Sequence, residues 1–170
     1  MYNEQVIFPN PNMPLRIVDH SGLAKIGALC KMHFHTELEF LMINSGSTIC
    51  RTDEGEYVGN AGELIFINSR VPHMTEVLAD GTNNTLIQFR SPSPVQNNAM
   101  RYMMRFLRSN DIGCHVFKKD DPDLDEAVGI VNDMRCENRE KSNAFEYYLM
   151  ADIYRMIALL HRKGLMADGS

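Results

Sequence analysis

The stretch Met32-His33-Phe34-His35-Thr36-Glu37-Leu38-Glu39 carries a titratable side chain at every second position from His33 onward. Successive residues of a β-strand project to opposite faces. His33, His35, Glu37 and Glu39 would therefore share one face, and Phe34, Leu38, Phe40 and Met42 the other. Four polar side chains on one face of an apolar strand are costly unless they line a pocket or bind something. Two imidazoles and a carboxylate are also a suitable donor set for a divalent metal such as Zn, Fe, Mn or Ni. Further along, Gln88 and Arg90 alternate with Ile87 and Phe89, which makes them candidates for lining the same pocket.

These residues need elements to position them, and the chain supplies two kinds. Up to about residue 92, short apolar runs alternate with turn residues. Ile26–Leu29, Phe34–Ile43, Glu63–Asn68 and Thr85–Arg90 read as strands. The intervening Asp53-Glu54-Gly55-Glu56 and Asp80-Gly81-Thr82-Asn83-Asn84 segments have turn chemistry, because Gly and Asn adopt positive φ cheaply. Many short strands at this spacing suggest a sandwich or barrel.

Beyond Ser91-Pro92-Ser93-Pro94 the period becomes helical. Met100, Met103, Met104 and Leu107 recur at i, i+3, i+4, i+7, with Arg101, Arg105 and Arg108 forming the solvated side of an amphipathic helix. A strand-like Cys114–Phe117 precedes a helix carrying Leu124, Val128, Val131 and Met134, with acids at its start. The last helix is expected from about Asn143 to Lys163, striped by Phe145, Leu149, Ile153, Met156, Ile157 and Leu160 and stopped by Gly164. An amphipathic pair with little core of its own suggests a homodimer contact through these C-terminal helices.

Composition narrows the classes. The 170 residues are 44% hydrophobic and 23% charged, an ordinary globular balance that allows one domain and an extension. A net charge of −5 argues against gripping nucleic acid unaided. Cys30, Cys50, Cys114 and Cys136 form no Cys-x-x-Cys pair, so no disulfide framework or thiolate zinc site is suggested and they read as small buried hydrophobes. There is no long apolar run and no signal-like start, so a cytoplasmic setting without membrane contact is expected. His20, His115 and His161 read as structural.

The order Gly27, His33-x-His35, Glu39, Gly46 resembles the first sequence motif of the cupins. A second motif is partly present: Gly62-Glu63 opens an apolar strand and His73 stands at the third histidine position. Asn68, Arg70 and Val77 replace the family's proline, glycine and asparagine. The resemblance covers Gly27 to Val77 and implies a mainly β fold, a double-stranded β-helix or jelly-roll barrel, followed by a C-terminal helical dimerisation region. Gly-Glu-Leu-Ile-Phe-Ile-Asn and Val-Pro-His further resemble the sensor domain of AraC-type transcription regulators.

That resemblance implies a cupin sensor barrel over residues 1–92 and a helical arm over 93–170, with DNA read only by a C-terminal helix-turn-helix domain absent from this chain. The implied function is binding of a small polar, sugar-like effector by His33, His35, Glu37, Glu39, His73 and Gln88, without enzymatic activity. The alternative is a small metal-dependent cupin enzyme, an isomerase or dioxygenase, in which His33, His35, Glu39 and His73 hold Zn, Ni, Mn or Fe. In either case Glu37 has three roles open: a spare ligand, a carboxylate orienting an imidazole, or a solvent-facing group at the barrel mouth.

Overall fold

The computed structural model describes residues 1–20, 22–90 and 112–166. Its strands are β1 (Tyr2–Asn3), β2 (Leu15–Asp19), β3 (Leu29–Phe34), β4 (Leu38–Ser45), β5 (Ser47–Thr52), β6 (Glu56–Asn60), β7 (Leu64–Ile67), β8 (His73–Val77), β9 (Asn83–Phe89) and β10 (Cys114–Phe117). Two helices follow, α1 (Leu124–Glu140) and α2 (Phe145–Arg162). The helix expected around Met100–Leu107, with its arginine face, lies outside the described residues.

The pairing is a set of nested antiparallel ladders: β5 with β6, β4 with β7, β3 with β8, and β2 with β9. A long hairpin nested in this way and rolled on itself is a jelly roll. It yields two five-stranded sheets, β1-β3-β8-β5-β6 and β10-β7-β4-β9-β2. The fold is thus mainly β, a jelly roll of the cupin type with a C-terminal helical pair. At the turn between β4 and β5, Gly46 has φ of 75°, and a Cβ there would stand 2.1 Å from Thr82 Oγ1. Only glycine fits that position.

Alternation divides the second sheet between two environments. Leu38, Phe40, Met42, Leu64, Phe66, Ile87 and Phe89 join one core cluster with the buried stripes of both helices. Leu41, Ile43, Ile65 and Ile67 pack instead with Cys50 and Cys114 in a second cluster. Each large side chain taken out of water here contributes on the order of 1.5–3 kcal/mol. The stripe Leu149, Ile153, Met156, Ile157 and Leu160 belongs to the first cluster. The apolar face that suggested a dimer contact is therefore buried within the chain's own core. The helix stop is as expected: Gly164 has φ of 72°, and Leu165 N donates to Leu160 O at 2.9 Å.

Two strand expectations fail. Ile26–Leu29 is not a strand: Ile26 and Gly27 form a turn, with φ of 81° at Gly27, and β3 begins only at Leu29. Phe34–Ile43 is not a continuous strand, because β3 and β4 belong to opposite sheets and the chain must cross between them at residues 35–37. The corner is held by the neighbouring crossover between β7 and β8: Arg70 N donates to His35 O at 2.7 Å, and Ser69 Oγ donates to Thr36 O at 2.8 Å. Two cysteines also depart from expectation, since Cys30 is exposed and Cys136 only half-buried.

Candidate metal centre

Each sheet contributes one row of facing residues. On the first, Tyr2 pairs with His33, His33 with His73, and His73 with Thr52. On the second, Arg16 pairs with Gln88, and Gln88 with Glu39. His35, at the corner between the sheets, joins the two rows. The ligating atoms of His33, His35, Glu39 and His73 lie within 4.8 Å of one another, and all four residues are buried.

The histidines are held in one tautomer. His33 Nδ1 lies 2.8 Å from Lys31 O, His73 Nδ1 2.8 Å from Val71 O, and His35 Nδ1 3.2 Å from Glu37 O. A carbonyl can only accept, so Nδ1 donates in every case and Nε2 is left as the ligating atom. The rings of His33 and His73 have centroids 4.3 Å apart, and those of His35 and His73 are 5.2 Å apart, edge to face.

The carboxylate is fixed as firmly. Glu39 Oε2 lies 2.8 Å from His35 Nε2, 3.8 Å from His73 Nε2, and accepts from Gln88 Nε2 at 2.9 Å. Burial pushes the Glu39 carboxyl up, but the hydrogen bond to His35, the charge of His73 and Gln88 more than reverse this and hold it below the usual carboxylate range. Burial would likewise lower His35, yet Glu39 raises it above the ordinary histidine value. His73 is lowered, first by burial.

The site fits a divalent ion on its own geometry. Among the described residues, buried His73 Nε2 has no hydrogen-bond partner, and such an atom is costly unless something binds it. Once His35 Nε2 gives up the proton it shares with Glu39, three Nε2 lone pairs and one carboxylate form a donor set for Zn, Ni, Mn or Fe. A metal here would replace the proton that His35 shares with Glu39.

Gln88 thus reaches the site through Glu39, as alternation along β9 suggested. Glu37 is 1% exposed, and its Oε2 lies 3.8 Å from His35 Nδ1, the ring nitrogen opposite the ligating Nε2. Arg90 Nε and Nη2 donate to Glu37 Oε1 at 2.8 and 2.5 Å, and Thr36 Oγ1 donates to it at 3.1 Å. Glu37 orients His35 through its backbone carbonyl, because the corner at residues 35–37 breaks the alternation that would have aimed its side chain inward. Arg90 consequently serves Glu37 and stacks over Phe8 at 5.1 Å. Of the other histidines, His20 is exposed and His115 lies 3.4 Å from Asp121.

Sequence reasoning missed Glu4, whose Oε2 is 3.2 Å from His33 Nε2. No local signal marked it, since its placement depends on the pairing of a two-residue strand.

No protein-family model matches the chain, and no curated protein is significantly similar to it. Solved structures of similar shape include a mutant of oxalate decarboxylase from Bacillus subtilis, with 23% identity over 51% of this chain and 24% of that one, at a TM-score of 0.40. The formate complex of oxalate decarboxylase from Lactobacillus farciminis gives 26% identity, 46% and 24% coverage and a TM-score of 0.39. A further Bacillus subtilis oxalate decarboxylase structure, from a study of its Mn(II) centres, gives 24% identity, 46% and 21% coverage and a TM-score of 0.38. The matches span about a quarter of those chains, and the cupin-type fold rests on the strand nesting described above.

The expectation of no enzymatic activity is corrected here. It rested on the resemblance to a regulator's sensor domain, with the degenerate second motif and the long helical tail beside it, and the replacements at Asn68, Arg70 and Val77 do not dislodge His73. This chain keeps a complete, buried three-histidine, one-carboxylate donor set of the kind that holds a catalytic metal. Among the described residues, no helix is long and apolar enough to cross a membrane.

Proposed function

We propose that this chain is the catalytic barrel of a metal-dependent cupin enzyme acting on a small polar substrate. The observation that carries this reading is the convergence of three tautomer-locked Nε2 atoms on the Glu39 carboxylate. Four protein donors leave one or two positions of a five- or six-coordinate ion open, and the bound ion would polarise a substrate oxygen as a Lewis acid.

The protein's own contribution is orientation and shielding. Lys31, Glu37 and Val71 carbonyls fix the ring planes, and Gln88 fixes the Glu39 oxygen. Leu41, Ile43, Ile65 and Ile67 fill the interior beside the ligands and strengthen the local electrostatics by excluding water. The test is turnover: protein loaded separately with Mn, Fe, Ni and Zn is offered small hydroxy and carboxylic acids, with oxygen uptake, carbon dioxide release and isomer formation followed. Turnover with one metal that disappears in His73→Ala supports the reading. Absence of turnover with every metal and acid overturns it.

A further inference from the structure

The first residues of the chain lie against the metal centre. β1 pairs in parallel with β3, setting Tyr2 opposite His33 and Asn3 opposite Phe34, and Glu4 N donates to Phe34 O at 2.9 Å. Residues two apart along an extended segment share a face, so Tyr2 and Glu4 both address His33. The Tyr2 ring stacks on the imidazole with centroids 5.6 Å apart and 23° between planes. Glu4 Oε2 stands 3.2 Å from His33 Nε2, the atom left for a metal because Nδ1 is bound to Lys31 O.

Two donors each about 2.1 Å from one ion and at right angles are about 3.0 Å apart. The His33–Glu4 distance therefore suits two ligands of a single ion. His35 Nε2 and Glu39 Oε2, at 2.8 Å, are spaced in the same way. Glu4 differs from the other four donors in its attachment. Its side chain is 29% exposed and it follows a strand only two residues long at a sheet edge, an arrangement that opens at low free energy. A cation waits beside it: Arg16 Nη1 is 3.8 Å from Glu4 Oε1 and donates to Gln88 Oε1 at 3.2 Å.

We propose that Glu4 is a fifth protein ligand of the metal centre, a carboxylate that occupies one open coordination position and yields it to a small carboxylate substrate. The exchange replaces one carboxylate oxygen by another, so charge at the site is unchanged and no proton moves. The incoming anion takes over both the position on the ion and the partnership with Arg16, which is why the substrate class is a carboxylate. This inference rests on the metal-centre reading above.

Cobalt(II)-loaded protein tests it, because visible absorption reports the coordination sphere without turnover. Glu4→Gln is expected to change that spectrum and, if Glu4 holds the position about nine-tenths of the time, to tighten acetate binding about tenfold. Arg16→Met is expected to weaken acetate binding in both backgrounds. An unchanged spectrum in Glu4→Gln overturns the ligand assignment. A changed spectrum with unchanged acetate affinity overturns the exchange. A wild-type protein that takes up no cobalt overturns this inference together with the reading beneath it, and so separates that failure from the other two.

Discussion

His33 and His73 stand directly opposite each other across β3 and β8, with ring centroids 4.3 Å apart and each Nδ1 tied to the carbonyl two residues before it. Two residues far apart in sequence thus become equivalent ligands through one register. The pairing is irregular between Cys30 and His33, so the register at His33 is set locally, at the point where the chain leaves the sheet.

Gln88 is the most direct test of how the carboxylate is held. Gln88→Leu removes the 2.9 Å hydrogen bond to Glu39 Oε2 while keeping the side-chain volume close. Partners that orient a ligand typically contribute 10–100-fold in metal affinity, and a loss of about tenfold is expected here. Calorimetric titration with Zn or Mn checks it, with circular dichroism confirming the fold. Unchanged affinity would show that Glu39 is positioned by His35 alone.

Arg70 concerns the turn behind the site. It occupies the place of a motif glycine and keeps a glycine-like backbone, with φ of 64°, while its N–H supports the His35 carbonyl. A non-glycine residue in that region costs roughly 1–2 kcal/mol, and glycine loses about 0.5–1 kcal/mol through the freer unfolded chain. Arg70→Gly is therefore expected to stabilise the fold by about 0.5–1 kcal/mol, read from the urea midpoint, with metal binding retained. A clear destabilisation would mean that the Arg70 side chain carries a role of its own.

The end of α2 is coupled to the loop before α1 by charge. Lys163 Nζ donates to Asp121 Oδ1 at 2.7 Å and to Asp123 Oδ2 at 2.9 Å. Burial pushes the Asp121 carboxyl up, but Lys163, the Asp123 N–H and His115 more than reverse it and leave it below its usual value. A carboxyl lowered in the folded state stabilises above its unfolded pKa, near 3.9, and loses that contribution as pH falls through the lower folded value. Lys163 is raised, burial being outweighed by the two aspartates, so its contribution is present at neutral pH and fades only above the ordinary lysine range. Lys163→Met is expected to cost about 1–2 kcal/mol at pH 7, and the gap from wild type should narrow below about pH 4. Denaturation midpoints measured at pH 7 and pH 3 check this, and a gap independent of pH would contradict it.

Much of the site was legible because period two is a local property. The facing of Glu39 away from Leu38, Phe40 and Met42, and of Gln88 away from Ile87 and Phe89, follows directly from alternation within single strands. His73 came from a spaced motif instead, since no local pattern tells which distant strand a histidine will face. Glu37 illustrates the limit. Alternation assumes one strand, whereas a jelly roll must cross between sheets, and the corner turns the carboxylate toward Arg90. Glu4 was out of reach because its position depends on a parallel pairing of two residues. The helical stripes follow from their period, but that they join one core with a sheet face, itself buried on both sides, only the full strand order reveals.

If His33, His35, Glu39 and His73 form one divalent-metal site, metal stoichiometry reports it without any assumption about substrate. Protein purified without chelator, then stripped and reloaded with Mn or Zn, is measured by elemental analysis beside His73→Ala. About one ion per chain is expected for wild type, in line with a single site of four protein donors, and near-complete loss in a folded His73→Ala. Wild-type protein that binds no divalent ion under these conditions, or His73→Ala that binds as well as wild type, would contradict the one-site assignment.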